Sequence, residues 1–331
     1  MAAPRQGVVR FKAGQHTEHV RRLGLLRVDA SRVSRLLQNL SCKVHASGIA
    51  CAQAPLNLSV EDRHGPEAPH NLYARPVLTR DRRPFEDISA NDFTFTGARL
   101  ERHNLGRGKL SFFAAQLRND HALYLAASGH ERRNIIDAHY AGRGAGWDWD
   151  VEAMGQWGSV GDKKIHAWGG GTLFGYTWES GTWSPRLGFQ FDAASGTHYS
   201  RGTVLATFNP LFPNGFYELL AGYPGYANFV HIRLPAMMHP TRKLSTLFDT
   251  GSLWRVTTAD AVYLLPAIPA LGTAGHGGAY SGTYGQIRLD WKFSQHLTAA
   301  FDSEYFAHSQ SLQQAGARKG HYIGVELNFG I

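Results

Sequence analysis

The chain has 331 residues, of which 37 are Gly, 12% are aromatic and 43% are hydrophobic. It is long enough to bury a core as one large or two ordinary domains, and no run of about 18 apolar residues occurs, which excludes a transmembrane helix but not spanning strands of about ten alternating residues. The formal net charge of +8 favours anionic partners such as nucleic acid, anionic lipid or an acidic polymer.

Residues 1–70 are rich in Arg and His, poor in aromatics, and keep no sustained period of 2 or 3.6. Arg21–Leu40 (RRLGLLRVDASRVSRLLQNL) reads either as a short basic amphipathic helix or as a solvated segment. The 2 cysteines, Cys42 and Cys51, lie here without Cys-x-x-Cys spacing or neighbouring ligands, so neither a metal site nor a disulfide framework is expected. Met1 is not followed by the charged region and apolar core of a signal peptide. The expectation is therefore a start other than the natural one, with 1–70 an unassigned basic segment, non-native or disordered, ahead of a domain spanning 71–331.

From Asn71 onward the reading is all-β. Strands are expected at 71–78, 92–102, 109–118, 133–141, 146–157, 163–178, 182–194, 225–238, 243–256, 281–293, 297–307 and 320–331, about twelve in all. The connections between them alternate in length. Links at 79–91, 119–132, 195–224, 257–280 and 308–319 are long; those at 103–108, 142–145, 179–181, 239–242 and 294–296 are short; 158–162 is intermediate. An antiparallel up-and-down barrel in an outer membrane sorts its links this way, with short turns inside and long loops outside. A soluble sandwich has no reason to.

The faces of the strands agree. In GWDWDVEAMGQW, Trp147, Trp149, Val151 and Ala153 alternate with Asp148, Asp150 and Glu152. In the last strands Ile287, Leu289, Trp291 and Phe293 alternate with Arg288, Asp290 and Lys292, and Ile323, Val325, Leu327 and Phe329 with Gly324, Glu326 and Asn328. The polar face is too charged for a dry core and suits a water-filled lumen, which turns the apolar face to lipid.

Several stretches carry a family resemblance: GAGWDWDVEAMGQWGSVGDKKIHAW, PRLGFQFDAASG, TFNPLFPNGFY, AGYPGYAN, RVTTADAVY and the terminal HYIGVELNFG, with YARPVL and ERRNIIDAHYAG upstream. Over about residues 72–331 the chain resembles the alginate export family of outer-membrane porins. The stretch Phe208–Gly215 and the neighbourhood of Asp192 carry the resemblance most specifically. It implies an eighteen-stranded barrel, of which this chain would supply the C-terminal two-thirds. It also implies passive export of an anionic uronate polysaccharide or related organic anion, with no enzymatic activity and no cofactor. Outer-membrane lipid and periplasmic export or assembly proteins would be the other partners, and no nucleic acid is expected.

The residues expected to line the pore are Arg99, Arg186, Arg233, Arg255, Arg288 and Lys292, with Asp148, Asp150, Glu152, Asp192, Asp249 and Asp290 on the same face. Arginine suits uronates because its planar fork binds a carboxylate through two N–H groups. The alternative is that these charges neutralise one another as cross-strand pairs. The carboxylate row also overlaps the spacing of an inverting glycosidase, about 6.6–7 Å for i and i+2 on a strand, but any hydrated barrel wall has such a row. Ser and His occur without triad spacing, and the histidines without metal-ligand spacing. The long link carrying Phe208, Asn209, Pro210, Leu211, Phe212 and Pro213 is expected to fold inward or over the mouth as a gate, because links of this length are uncommon unless functional. The other reading is a packed loop that shields the rim.

Overall fold

Between lipid and water a strand satisfies its backbone only in an unbroken ladder, so alternation of side chains has to coincide with continuous pairing. The computed structural model describes residues 6–12, 67–75, 77–78, 88–89, 91–211, 219–222, 224–265, 267–318 and 320–330. Cys42, Cys51 and the basic stretch 21–40 lie outside the described residues. The strands are β1 (Gln6–Lys12), β2 (Glu67–Ala74), β3 (Val77–Leu78), β4 (Ile88–Ser89), β5 (Phe93–Leu105), β6 (Gly108–Leu123), β7 (Ser128–Gly144), β8 (Trp147–Val160) and β9 (Lys163–Thr177). They continue with β10 (Arg186–Ala194), β11 (Val204–Leu205), β12 (Phe229–Thr241), β13 (Leu244–Trp254), β14 (Tyr263–Leu264), β15 (Ile268–Pro269), β16 (Tyr280–Lys292), β17 (Leu297–His308) and β18 (Gly320–Gly330), with one short helix, α1 (Gln310–Gln314), before the last strand.

One antiparallel sheet runs in the order β1-β18-β17-β16-β13-β12-β10-β9-β8-β7-β6-β5-β2, so that from β5 to β18 each wall strand pairs with its neighbours in the chain. Every strand expected from periodicity overlaps a strand of this sheet, and Gln6–Lys12 adds another by pairing with Gly324–Gly330.

Three links differ from expectation, and the one expected at 179–181 lengthens to 178–185 because β10 starts only at Arg186. The connection expected at 119–132 shrinks to 124–127, and that at 158–162 to 161–162, because β6, β7, β8 and β9 run on past the apolar band. Charged residues end the apolar alternation at Asn119–Arg132, but backbone pairing does not need apolar side chains, and the ladder continues through a register shift between Asn119 and Ala122. The turns at 106–107, 145–146, 178–185, 242–243 and 293–296 lie at one end of the sheet; the links 75–92, 124–127, 161–162, 195–228, 255–279 and 309–319 lie at the other. The links of more than ten residues therefore all share one end.

The two faces are sorted as the alternation requires. Ile136, Trp157, Phe174, Phe189, Leu234, Phe248, Ile287, Phe301, Val325 and Phe329 are exposed on the outer face, whereas Glu131, Arg133, Asp137, Gln156, Gln190, Asp192, His231, Asp249, Gln286, Asp302 and Glu304 are buried on the inner one. This inverts a soluble protein. The buried apolar side chains form clusters inside the sheet; the largest joins Ala167, Ala194, Phe229, Leu253, Tyr284 and Phe306 of six wall strands to Phe208 and Leu219 of the link 195–228.

An outward residue at mid-strand should tolerate no charge in lipid. Leu234→Arg in β12 is expected to lower the folding free energy in vesicles by about 2–4 kcal/mol, read from denaturant titration of the chain folded into lipid. An unchanged midpoint would contradict the outward assignment.

Candidate functional site

The site is built on the link 195–228, which enters the space inside the sheet. Beyond Ala194 the chain rises, turns, and comes back beside β9. β11 pairs in parallel with β9 (Val204 with Lys164, Leu205 with Ile165), and Phe208 N donates to Ser195 O. The run Gly169–Gly171 in β9 leaves the wall bare here. A Cβ at Gly169 would lie 2.9 Å from the Phe208 ring, so glycine is what lets the link lie against the wall.

Asn209 then docks on a buried polar nest. Its backbone N–H donates to Gln156 Oε1 (3.0 Å), Gln156 Nε2 donates back to Asn209 O (2.7 Å), and Asn209 Nδ2 donates to the Tyr124 hydroxyl (2.8 Å). Beneath it Arg133, fully buried, donates to Glu131 (2.6 Å), Gln156 (2.7 Å) and Tyr124 (3.0 Å). Burial, opposed by the Arg133 charge, holds the Tyr124 phenol well above its ordinary value, so it stays a neutral donor to Glu131. Leu211 packs on the neighbouring cluster of Phe95, Leu117 and Ile135, and Phe212 and Pro213 lie outside the described residues. On the far side Leu220 N donates to Gln286 Oε1 of β16 and Ala221 N to Glu304 Oε2 of β17, both at 2.8 Å. The link is thus pinned at one end to β8 and at the other to β16 and β17, five and six strands along the sheet.

Outside this crossing the links fasten to one another. Asp260 accepts from Thr197 N, Thr207 Oγ1 and Tyr263 Oη, and Asn228 bridges to Thr257 and Ala261. Arg255, expected on the pore wall, lies past the end of β13 and is buried. Its guanidinium donates to the carbonyls of Thr258, Asp260, Thr273, His276 and Gly278, where burial lowers its pKa against the pull of Asp260. It organises the link 255–279 and does not face the lumen wall.

Of the remaining expected residues, all but Glu152 and Lys292 form ion pairs on the inner wall. Arg186 of β10 reaches across β9 to Asp148 of β8 (Nε–Oδ2 2.8 Å, Nη2–Oδ1 2.5 Å), and it passes over Gly175, where a Cβ would meet the guanidinium at 2.1 Å. Arg99 bonds Ser111 and pairs with Glu101, Arg233 pairs with Asp249, and Arg288 with Asp290 and Asp302. Asp150 pairs with His139, and Glu152 stands opposite His139 on the same wall. Asp192 holds His231, whose other nitrogen meets the hydroxyl of Tyr284 at 2.9 Å; the third member of this row is a phenol and not a serine. Lys292 is exposed at the end of β16 beside the turn 242–243. Of the pins, Glu304 was expected on the lumen face, whereas Tyr124, Glu131, Arg133, Gln156 and Gln286 were not among the expected pore-lining residues. Their one signal is parity, since Glu131, Arg133, Ile135 and Asp137 alternate with outward positions.

A continuous sheet with lipid-facing apolar residues and charged inner walls is an outer-membrane β-barrel of the porin type, and solved structures of that fold match it. Against OccK11 (OpdR) of Pseudomonas aeruginosa the identity is 12%, covering 80% of this chain and 66% of that one, with a TM-score of 0.50. Against the outer membrane protein opdK of Pseudomonas aeruginosa it is 10%, covering 82% and 68%, with a TM-score of 0.53. The chain therefore spans slightly under two-thirds of the OccK11 length, and at these identities the likeness is one of fold. The family model for alginate export matches residues 64–326, and the chain belongs to that family, whose members lie in the bacterial outer membrane. No curated protein matches the sequence. Family and fold are those of channels rather than enzymes.

Removing one partner of a buried ion pair leaves the other charge uncompensated. Arg133→Met is expected to cost about 3–5 kcal/mol by stranding Glu131, whereas Arg133→Met with Glu131→Leu should recover much of the loss. Denaturant midpoints of the two variants decide it; equal midpoints would remove the nest from the account.

Proposed function

We propose that the chain forms the wall and constriction of an outer-membrane channel through which an anionic polysaccharide, a uronate polymer, leaves the cell. The observation that carries this is the state of Arg186 and Arg99. Each guanidinium is held on one side by wall partners, and Nη1 of each has no partner among the described residues. A held fork with an unused edge suits the carboxylates of a passing chain, which can be handed from one arginine to the next. The neighbouring acids fix the forks in place and keep each site weak, and weak successive sites are what conduction requires. Membership of the alginate export family supports the same substrate class.

In this reading the barrel portion runs from Glu67 rather than from residue 71, takes in Gln6–Lys12 through its pairing with the last strand, and belongs to a larger barrel. The link 195–228 narrows the lumen and acts as its gate, with Phe208, Asn209, Pro210 and Leu211 seated on one wall. Periplasmic export and assembly proteins are partners, the latter through β18. No cofactor takes part.

The test is ion selectivity in planar bilayers with and without uronate oligomers. Anion preference and oligomer block are expected, with block weakened on the order of tenfold by Arg186→Gln or Arg99→Gln. Gly175→Ala should act like Arg186→Gln, because the added methyl displaces the guanidinium from Asp148. Cation selectivity without block by the oligomer would overturn the proposal.

A further inference from the structure

The outer face of β5–β9 carries a feature that a lipid-facing wall should avoid. Register places Thr94, Arg118, Arg132, Ser159 and Lys164 side by side across five adjacent strands. Arg118, Arg132, Ser159 and Lys164 are all exposed and point outward. Arg118 and Arg132 are directly opposite each other, an arrangement that destabilises a sheet unless an anion lies between them. The row itself holds no acid. Glu131, next to Arg132, is buried on the inner face and paired with Arg133. The other acids near the row in the chain are Asp92, 3.7 Å from His121, Asp120, bonded to His130 at 2.6 Å, and Asp162 in the turn 161–162. Arg118 is held in place, since its Nε donates to Gln116 Oε1 (2.9 Å) and Gln116 Nε2 donates to Asn134 Oδ1 (2.8 Å).

The level of the row is informative. Four residues below Lys164, Trp168 is exposed on the outer face, and ten residues below that, at the other end of the strand, is Trp178. Ten residues of tilted strand rise about 25 Å, the height of the apolar band between the two aromatic girdles. Four more place Lys164, at one end of the basic row, roughly 10 Å above the Trp168 level, among the head groups. The row is at the end that carries all the long links, which in such barrels faces outward from the cell. Directly below it the outer surface dips into a hollow of about 510 Å³ lined by Thr96, Ala114, Gln116, Asn134, Ile136 and Trp157. Small residues between an exposed Trp and Ile leave room there for an acyl chain.

We propose that this face is a binding site for a phosphorylated glycolipid of the outer leaflet. Its phosphates lie between Arg118, Arg132 and Lys164, its sugar hydroxyls meet Gln116, Asn134 and Ser159, and an acyl chain fills the hollow beside Trp157. The phosphate supplies the negative charge that the row lacks, and guanidinium pairs bind it in bidentate fashion.

The experiment measures lipid A binding to the full chain folded in detergent, by native mass spectrometry. Bisphosphorylated lipid A should bind and its dephosphorylated form should not, and neither inorganic phosphate nor phosphatidylglycerol at equal concentration should displace it. Arg118→Gln, Arg132→Gln and Lys164→Gln together should weaken binding about fivefold per charge removed, whereas Lys243→Gln at the opposite rim should change nothing. Arg132→Gln alone carries the same test if the triple variant does not refold. Equal binding of the dephosphorylated lipid, equal displacement by phosphatidylglycerol, or full affinity in the Arg132 variant would overturn the site.

Discussion

Lipid on one side of a single-layer sheet is the constraint on which everything else depends. It forces apolar side chains outward and leaves the charged half of every strand facing inward, where there is no second sheet to cover it. Charges that face inward have to be paired, hydrated or bound. The inner wall does the first with Arg186–Asp148, Arg233–Asp249, Arg288–Asp302 and Arg133–Glu131. These pairs differ in burial, and the difference separates their roles. The Arg133 nest is dry and fixes a loop; the Arg186 and Arg288 pairs are partly exposed, and there a solvated ion pair contributes little to stability. Such pairs set geometry.

The same constraint explains the crossing link. A wall that consists of polar side chains offers Gln156, Gln286 and Glu304 as ready acceptors for backbone N–H groups, so a long link can be held inside without an apolar core of its own. Where it does need close packing, β9 supplies glycine, and where it meets the neighbouring link, Asp260 and Asn228 bind the two together. The constriction and its outer cover are thus fastened as one unit.

Much of this was legible in the sequence. Strict alternation located the wall strands and their faces, since period two is a backbone property that each strand reports alone. The links at 119–132 and 158–162 were misjudged because alternation of hydrophobicity stops where lipid stops, while hydrogen bonding does not. Arg255 was misassigned for a related reason: parity was carried past Trp254, the last residue of the strand. The pins Arg133, Gln156 and Gln286 could not be recognised as such. What distinguishes them is the residue that lies opposite in space, which parity does not encode.

The inside-out wall is tested most directly at neighbouring residues of one strand. With Cys42 and Cys51 replaced by Ser, Arg288→Cys and Ile287→Cys are exposed in turn to a charged, membrane-impermeant thiol reagent while single-channel current is recorded across a bilayer. The thiol at position 288 should react and change the conductance, and the one at 287 should be shielded by lipid and leave it unchanged. Reaction at 287 with an effect on current, or no effect at 288, would contradict the assignment of the two faces.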